Sequence, residues 1–312
     1  MKIAIIGAGL AGLACAGPLK NAGHNIQLFD KARGPGGRMS TRRAQTPAGE
    51  AQFDHGAQYF TVRDPAFQQL VDSWARDGVA ARWPAAGEDA WVGTPAMNSP
   101  IKAMAAGQDI AWATRIDQLE KSSNCWKLLG EKANIDTLFD SVILAIPAEQ
   151  TADLLSPVDT GFAAVAQESQ SDPCWTVMLS FSEKLPTDQN ILRNIGAIGW
   201  AARNSDKPGR TGLENWVVQA SPAWSRDHLE ETQEWILPTL IEALSQALGL
   251  NLPEPLHATA HRWRYARSDS ADRTALFNRE NGLGVCGDWL LGPRVENAWL
   301  SGTALSQHIL DQ

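Results

Sequence analysis

Hydrophobic residues at the start of the chain follow the order strand, turn, helix, strand. Lys2–Ile6 is a short β-branched run, which is typical of a buried parallel strand. A glycine-rich turn follows it, and Leu10, Leu13 and Leu19 then recur at helical spacing. Residues 25–30 form a second apolar run. The first thirty residues therefore predict a complete βαβ unit, the start of a parallel sheet.

Apolar spacing along the rest of the chain predicts a β-rich middle and a return to α/β structure at the end. Residues 31–50 are rich in Gly, Pro, Arg and Ser and predict a long loop with one helical turn. Helices are predicted over residues 65–78, 231–248 and 299–309. Strands are predicted over residues 109–113, 115–121, 125–129, 141–146, 175–181, 195–201, 215–220, 259–265 and 284–287.

This order of elements predicts an α/β fold in which a Rossmann-like nucleotide-binding domain is assembled from separate pieces of the chain. Residues 1–62, 104–155 and 270–312 are assigned to that domain. Residues 63–103 and 156–269 are assigned to an inserted α+β domain that binds the substrate.

Composition excludes several classes of protein. The 312 residues are 44% hydrophobic and carry a net charge of −8, which favours a globular fold and argues against nucleic-acid binding. No run reaches the roughly 18 apolar residues of a membrane span, and glycines interrupt the apolar N-terminus, so no signal peptide is expected. Four scattered cysteines, with no CxxC pair, predict neither disulfides nor a metal site and favour the cytoplasm. Oligomeric state stays open.

The turn after the first strand has the sequence GAGLAG over residues 7–12. In dinucleotide-binding units, the first glycine permits the tight turn, the second lets backbone approach a pyrophosphate, and the third lets helix and strand pack closely. Asp30 lies eighteen residues after Gly12, where a carboxylate can accept hydrogen bonds from a ribose diol. The residues predicted to bind a dinucleotide here are Gly7, Gly9, Ala11, Gly12 and Asp30.

Two further segments supply groups for the same ligand. Lys31 and Arg38 belong to a run of five cations within thirteen residues, and Arg38 is the first candidate to neutralise the pyrophosphate. Gly37 precedes it in a Gly-Gly-Arg sequence that is typical of flavoproteins binding extended FAD. Near the C-terminus, Asp288 is placed to bond ribityl hydroxyls. The first N–H groups of the last helix, at Val295 and Glu296, are expected to face the flavin N1/C2=O edge.

These motifs and several others resemble a known family. GAGLAG at 7–12, the segment from Asp30 to GGRMS at 36–40, and DHGAQYFT at 54–61 are similar to the FAD-dependent amine-oxidase superfamily. Other segments narrow the resemblance to bacterial renalase-like oxidoreductases. They are WVG at 91–93 with Met97, WAARN at 200–204, HRWRYAR at 261–267, CGDW at 286–289 and RVENAWLSG at 294–302.

The resemblance implies a two-domain flavoprotein with the outline of p-hydroxybenzoate hydroxylase and non-covalently bound FAD. It implies oxidation of the 2- and 6-dihydro isomers of NAD(P) to NAD(P)+, with O2 as final acceptor and H2O2 as product. A small dinucleotide and O2 are therefore the expected partners. The chain is too short for the larger substrate domain of monoamine or polyamine oxidases, and it lacks the cysteine segment that links flavin covalently in monoamine oxidases.

The same resemblance suggests residues that contact flavin or substrate. Gly56, Ala57 and Gln58 are expected beside the isoalloxazine ring, where a Gly-Ala pair permits close backbone approach. The predicted substrate-binding residues are Gln58, Tyr59, Phe60, Met97, Arg203, Asn204, Trp263 and Tyr265.

Residue type alone leaves alternatives open for some of these positions. On residue type alone, Tyr59 and Phe60 fit the hydrophobic core better than a ligand contact, whereas Arg203 and Asn204 fit a solvated loop equally well. Trp263 and Tyr265 share one face of a predicted strand, either as a stacking surface or as sheet core. The histidines at 228, 257 and 261 have no metal-like spacing and are expected to be structural, and His55 is assigned no role.

The chemistry favours a hydride donor, because a dihydronicotinamide needs no general base and the sequence offers no unambiguous one. Two alternatives remain. One is a flavin-dependent oxidase of small amines, whose substrate must be neutral at nitrogen. The other is a flavin- or nucleotide-binding sensor without turnover.

Overall fold

The computed structural model describes residues 1–122, 124–130 and 133–311. Its strands are β1 (Lys2–Ile6), β2 (Asn25–Phe29), β3 (Thr41–Thr46), β4 (Gly49–Asp54), β5 (Ala80–Arg82), β6 (Trp91–Gly93), β7 (Ile110–Ala111), β8 (Gln118–Ser122), β9 (Cys125–Gly130), β10 (Ala133–Asn134), β11 (Ser141–Leu144), β12 (Ser171–Phe181), β13 (Ile191–Ile195), β14 (Ile198–Arg203), β15 (Glu214–Ala220), β16 (His257–Ser268), β17 (Leu276–Asn278) and β18 (Leu283–Val285). Its α-helices are α1 (Leu10–Asn21), α2 (Pro65–Arg76), α3 (Ser99–Ala105), α4 (Ala148–Leu155), α5 (Thr160–Glu168), α6 (Pro222–Asp227), α7 (Gln233–Leu248) and α8 (Val295–Leu310). Short 3-10 helices cover Gly37–Met39, Asn204–Asp206 and Asp288–Leu290.

A six-stranded sheet joins the two ends of the chain. Its order is β17-β18-β11-β1-β2-β7, with β17 antiparallel at one edge and the other neighbours parallel. Ile3 and Ile5 in its centre are fully buried, as expected for a strand covered on both faces. This Rossmann-like sheet with a second, mixed region confirms the predicted fold class.

The first and last helices pack directly against each other. A side chain at Gly302 in α8 would overlap the carbonyl oxygen of Ala11 in α1, so the two backbones are in close contact. Helix α1 runs through Pro18 without interruption. Among the described residues, no helix has the length and hydropathy to cross a bilayer.

A five-stranded antiparallel sheet forms the second layer, in the order β13-β14-β15-β12-β16. One face buries Trp175 and Trp216 against the apolar side of α7. The other face packs Met178 and Val217 against Phe53 of the β3–β4 hairpin. The hairpin and the segment that follows it therefore contact this second sheet.

The predicted loop over residues 31–50 is wrong in part. Its helical turn is confirmed at Gly37–Met39, but Thr41–Thr46 and Gly49–Asp54 pair as an antiparallel hairpin. The first strand is almost entirely polar, and its partner provides the buried residues Ala51 and Phe53. Tertiary packing therefore outweighs a composition that favours a loop.

Other differences concern turns and short helices. The strand predicted over residues 195–201 is split by a turn at Gly196, which has a φ of +57°, into the end of β13 and the start of β14. Helices α3, α4, α5 and α6 were not predicted. The helices predicted over 65–78 and 231–248 are confirmed as α2 and α7, the latter ending at Gly249 in the left-handed conformation.

The contact between α1 and α8 predicts opposite effects for two glycine substitutions. Gly302→Ala should lower the free energy of unfolding by about 1–3 kcal/mol, because the added methyl group meets backbone. Gly17→Ala in α1 should raise it by about 0.5–1 kcal/mol, because a Cβ atom there meets nothing within 4 Å. Urea denaturation measures both changes. Equal stability of the two variants would contradict this close packing.

Candidate functional site

The glycine turn and Asp30 form a cradle at the end of β1. Asp30 accepts hydrogen bonds from the backbone N–H groups of Ala8 (2.8 Å) and Ala32 (2.8 Å), which fix its carboxylate beside the turn. A side chain at Gly7 or Gly12 would overlap backbone, whereas Gly9, the N-cap of α1, faces open space. The turn therefore leaves room for a phosphate at the positive end of a helix.

The Gly37–Arg38 turn meets this cradle. The Cβ position of Gly37 lies 3.9 Å from the Cα atom of Gly9. The guanidinium of Arg38 pairs with the carboxylate of Asp288, at the C-terminal end of the same sheet. Lys31 is exposed and its ammonium donates to Gln150 Oε1 at 3.1 Å. The fold thus brings the glycine turn with Asp30, the Gly37–Arg38 turn and Asp288 to one place. These groups fit a dinucleotide.

The N-terminus of α8 completes this side of the site, with Val295 half-buried at its first position. The Glu296 carboxylate is buried and accepts from the N–H groups of Arg63 (2.6 Å) and Asp64 (2.7 Å), and it pairs with Arg294 at 2.8 Å. Because this side chain fastens the start of α2, only the backbone N–H of Glu296 is left for a cofactor.

Asp54, fully buried at the end of β4, is the centre of a charge cluster. It accepts from Lys207 Nζ at 3.3 Å, Arg210 Nη2 at 2.6 Å, Thr41 Oγ1 at 2.6 Å and the Met97 N–H at 3.0 Å. Burial opposes ionisation of the carboxyl, but the charges of Lys207 and Arg210 outweigh it and hold the pKa of Asp54 well below its usual range.

This charge cluster also fixes the predicted flavin-facing segment. Lys207, whose side chain is 0% exposed, donates to Gln58 Oε1 at 3.1 Å, and burial lowers its pKa to about 8. Gln58 Nε2 donates to the Asp54 carbonyl at 2.6 Å. The prediction that the Gln58 side chain binds flavin or substrate therefore needs correction, because both ends of its amide are engaged inside the protein.

The segment 55–59 bridges the two sheets. On the nucleotide side, Ala57 N–H donates to the Arg38 carbonyl at 2.8 Å, and a side chain at Gly56 would overlap that carbonyl. On the other side, Gln219 Nε2 donates to the Gly56 carbonyl at 2.7 Å, and Trp263 Nε1 to the carbonyl of residue 55 at 2.9 Å. The Gly-Ala backbone is therefore held between the nucleotide cradle and the second sheet.

Aromatic side chains line the second sheet beside this segment. The rings of Tyr59 and Trp200 lie 5.3 Å apart, and Trp263 and Tyr265 are both half-buried. Arg262 and Arg264, at the alternate positions of the strand, both bond Glu230. This alternation agrees with the predicted faces of the strand.

Two predicted substrate residues lie in the core instead. Phe60 is 3% exposed and packs edge-to-face on Phe67 and Trp74. Met97 is 0% exposed, and its sulfur accepts from the Gly93 N–H at 3.5 Å. The assignment of both side chains to substrate is corrected, since neither is open to a ligand.

The prediction that Arg203 and Asn204 contact substrate is also wrong, and so is the alternative of a solvated loop. Both side chains are buried and bonded inside the protein. Arg203 is 2% exposed and pairs with Glu214 at 3.0 Å, with further bonds to backbone carbonyls. Asn204 is 1% exposed and bonds the backbone of both Gln52 and Asp54. Asn204 ties the second sheet to the β3–β4 hairpin, whereas Arg203 ties β14 to β15 and to the chain before β13.

A histidine cluster, not predicted from sequence, lies on the other side of the segment. His55 stacks on Trp263 and meets His261 edge-on, with ring centroids 5.1 Å apart in both cases. Burial, the other imidazole and Arg42 lower the pKa of His55 to about 3, and burial and Arg42 lower that of His261 to about 4. In the described ranges, no group of three or more His, Cys, Asp or Glu side chains has the geometry of a metal site.

Comparisons with known proteins agree with this geometry. Residues 5–74 match a NAD(P)-binding Rossmann-like domain, and residues 83–310 match the family of flavin containing amine oxidoreductases. Since the second match covers more than half of the chain, the protein belongs to that family of flavin-dependent oxidoreductases.

Solved structures share the fold over nearly the whole chain. A proposed protoporphyrinogen oxidase from Exiguobacterium sp. 255-15 is 13% identical with a TM-score of 0.77, covering 100% of this chain and 99% of that one. Cyclohexylamine oxidase from Brevibacterium oxydans is 12% identical with a TM-score of 0.72, covering 99% and 98%.

A short segment is similar to a curated enzyme, the 4,4'-diapophytoene desaturase of Staphylococcus aureus (strain Newman). The two are 50% identical over 40 residues, which is 13% of this chain and 8% of the desaturase. The chain thus aligns with only a small part of the length of this relative.

The charge cluster predicts an order of stability among variants. Asp54→Asn should cost roughly 3–5 kcal/mol of unfolding free energy, because it leaves two buried cations without a carboxylate. Lys207→Met should cost less, because Asp54 keeps Arg210. Asp72→Asn, on the exposed side of α2, is the control. Chemical denaturation measures all three. Equal losses of unfolding free energy for Asp54→Asn and Lys207→Met would show that the charge cluster does not depend on the Asp54 carboxylate.

The low pKa of His55 predicts loss of stability in acid. The unfolded imidazole takes up a proton near pH 6.5 and the folded one only near 3, so this stabilisation is complete above 6.5 and falls as pH drops towards 3. His55→Gln should therefore reduce the loss of unfolding free energy between pH 7 and 5 by about 1–2 kcal/mol. The exposed His308→Gln is the control, and an unchanged slope for His55→Gln would refute the prediction.

Proposed function

We propose that the protein is an FAD-dependent oxidase of the renalase type. It takes a hydride from the 2- or 6-dihydro isomers of NAD(P) and passes the electrons to O2, giving NAD(P)+ and H2O2. The observation that supports this best is the position of Gly56 and Ala57 between the nucleotide cradle and the aromatic side chains of the second sheet. We place the enzyme in the cytoplasm, since its cysteines are unpaired in the described structure.

The ionisable groups beside this segment favour a hydride donor. Asp54, Lys207 and Arg210 are buried and bonded to one another or to neighbouring groups. His55 and His261 stay neutral, since their pKa values lie at about 3 and 4. Imidazoles with such low pKa values are weak bases and are poorly matched to removing a proton from a substrate at neutral pH, and a dihydronicotinamide does not require a base.

The proposal includes FAD held without a covalent bond. We assign Asp30, held beside the glycine turn, to the ribose; Arg38 and Asp288, which pair with each other, are assigned to the pyrophosphate and to the ribityl hydroxyls. Cys286, next to this motif, is buried against Cys15, and burial with that contact raises the pKa of the Cys15 thiol. Both thiols are enclosed in the interior, which disfavours a covalent link.

When bound, the flavin supplies the two-electron chemistry with the donor and with O2. The chain's own residues position and shield that reaction. The backbone of Gly56 and Ala57 permits close approach of a ring, and the N-terminus of α8 favours negative charge at its first N–H groups. Trp263 and Tyr265 offer faces for the nicotinamide and keep water from that side.

An oxidase of small amines is the second candidate. It is supported by the family match and by the shared fold of cyclohexylamine oxidase and putrescine oxidase. It is the weaker candidate because the imidazoles beside Gly56, His55 and His261, are weak bases, although the aromatic side chains of the second sheet suit an apolar amine.

Anaerobic mixing tests the proposal directly. The purified yellow protein should lose its absorbance near ~450 nm with 6-dihydro-NAD or 2-dihydro-NAD, and admission of air should return it with one H2O2 formed per turnover. Cyclohexylamine and putrescine are the parallel donors. Bleaching by amines alone, faster at higher pH, would support the amine oxidase instead. Failure of every donor to bleach the flavin would point to a sensor.

A further inference from the structure

A dinucleotide substrate brings phosphate groups that need a cation. The sequence predicted Arg203 and Asn204 as substrate contacts, but both are buried and bonded within the protein, Arg203 to Glu214 and Asn204 to the hairpin. Arg38 pairs with Asp288 on the cofactor side. The cation for the substrate must therefore come from elsewhere on the second sheet or on the hairpin packed against it.

Arg42 of β3 has the required position. It is half-buried and its Nη2 lies 3.3 Å from Nδ1 of His261 on β16. In the described part of the chain no carboxylate pairs with Arg42, whereas its neighbour Arg43 lies 3.6 Å from Glu50. The positive charge of Arg42 is therefore uncompensated in a partly desolvated place, which favours an anion.

The imidazoles around Arg42 have unused hydrogen-bonding atoms. His55 is 5% exposed, and its Nδ1 is buried with no hydrogen-bond partner among the described residues; the same holds for Nε2 of His257. Arg42 lowers the pKa of His55, His257 and His261 alike, so all three lie within its field. Buried polar atoms almost always find a partner, and a ligand rich in oxygen atoms would provide one.

This group lies between the surface and the flavin-facing segment. His261 also lines an open cavity of about 440 Å³, whose wall includes Arg262, Glu230 and Glu231. Glu230 is paired with Arg262 and Arg264, so its charge is largely compensated. His55, which contacts His261, directly precedes Gly56. A dinucleotide with its ring at Gly56 would therefore have its phosphate groups near Arg42, which bonds the same His261.

We propose that Arg42, together with His55 and His261, binds a phosphate group of the dinucleotide substrate. The identity of the ligand rests on the proposed function, whereas the existence of an anion site does not. Phosphate suits this group because a guanidinium and imidazole N–H donors together match several oxygen acceptors.

Steady-state kinetics of holoenzyme variants test the assignment. Arg42→Gln should raise KM for 6-dihydro-NAD by about tenfold or more with little change in kcat, because a phosphate contact is the same in ground and transition states. Arg42→Lys should restore much of the affinity. The matched control is Arg43→Gln, at the next position of the strand, which should leave KM unchanged.

A donor without phosphate separates binding from general damage. The 6-dihydronicotinamide riboside should react equally well with wild type and Arg42→Gln. An equal loss with this donor would overturn the assignment, since Arg42 would then act on the flavin-facing segment. A weaker affinity of Arg42→Gln for FAD, measured by flavin fluorescence, would also overturn it and assign Arg42 to the cofactor.

Direct anion binding gives a readout that does not depend on turnover. Sodium pyrophosphate added to the holoenzyme should shift the imidazole NMR signals of His55 and His261 and raise their pKa values in wild type and Arg43→Gln, but not in Arg42→Gln. No shift in wild type would refute the site even if dihydro-NAD bleaches the flavin. A shift without bleaching by any donor would keep the anion site and refute the proposed function.

Discussion

The buried carboxylate of Asp54 is the interaction on which the site depends. It joins the hairpin through Thr41, the connection after β14 through Lys207 and Arg210, and the chain before α3 through Met97. Charged groups this deep are costly unless each is paired and hydrogen-bonded, so the arrangement tolerates little displacement. As a result, the next five residues, 55–59, which bridge the two sheets, start from a fixed position.

Because Asp54 is fixed, the polar and the aromatic residues of the site have separate roles. Lys207 donates a hydrogen bond to the Gln58 side chain and so anchors residues 55–59. Gln219 and Trp263 of the second sheet donate to the backbone carbonyl groups of the same segment. Side chains that resemble ligand contacts in the sequence, such as Gln58 and Arg203, are engaged in this support. The exposed surface is then left to backbone, to aromatic faces and to the nucleotide cradle. Preorganisation of this kind is what a bound coenzyme requires of a protein.

The sequence predicts the nucleotide half well, because its signals are local. The strand, the glycine turn and Asp30 follow one another within thirty residues, and each has a distinct mechanical reason. The β3–β4 hairpin was missed because its buried residues, Ala51 and Phe53, lie on one strand only. The sequence analysis missed the bonds of Lys207 and Arg210 to Asp54 and the contact of Arg42 with His261 for another reason. Each joins two residues more than 150 positions apart, and spacing along the sequence does not indicate such pairs.

The close packing of α8 on α1 has a consequence for how the protein is made. Strand β18, Asp288 and α8 are synthesised last, yet they complete the sheet and the cradle begun by the first residues. A nascent chain on the ribosome therefore carries an unfinished pocket, with the apolar side of α1 uncovered. Coenzyme capture has to wait until α8 has been synthesised, and a chain that stops before α8 would be colourless and prone to proteolysis.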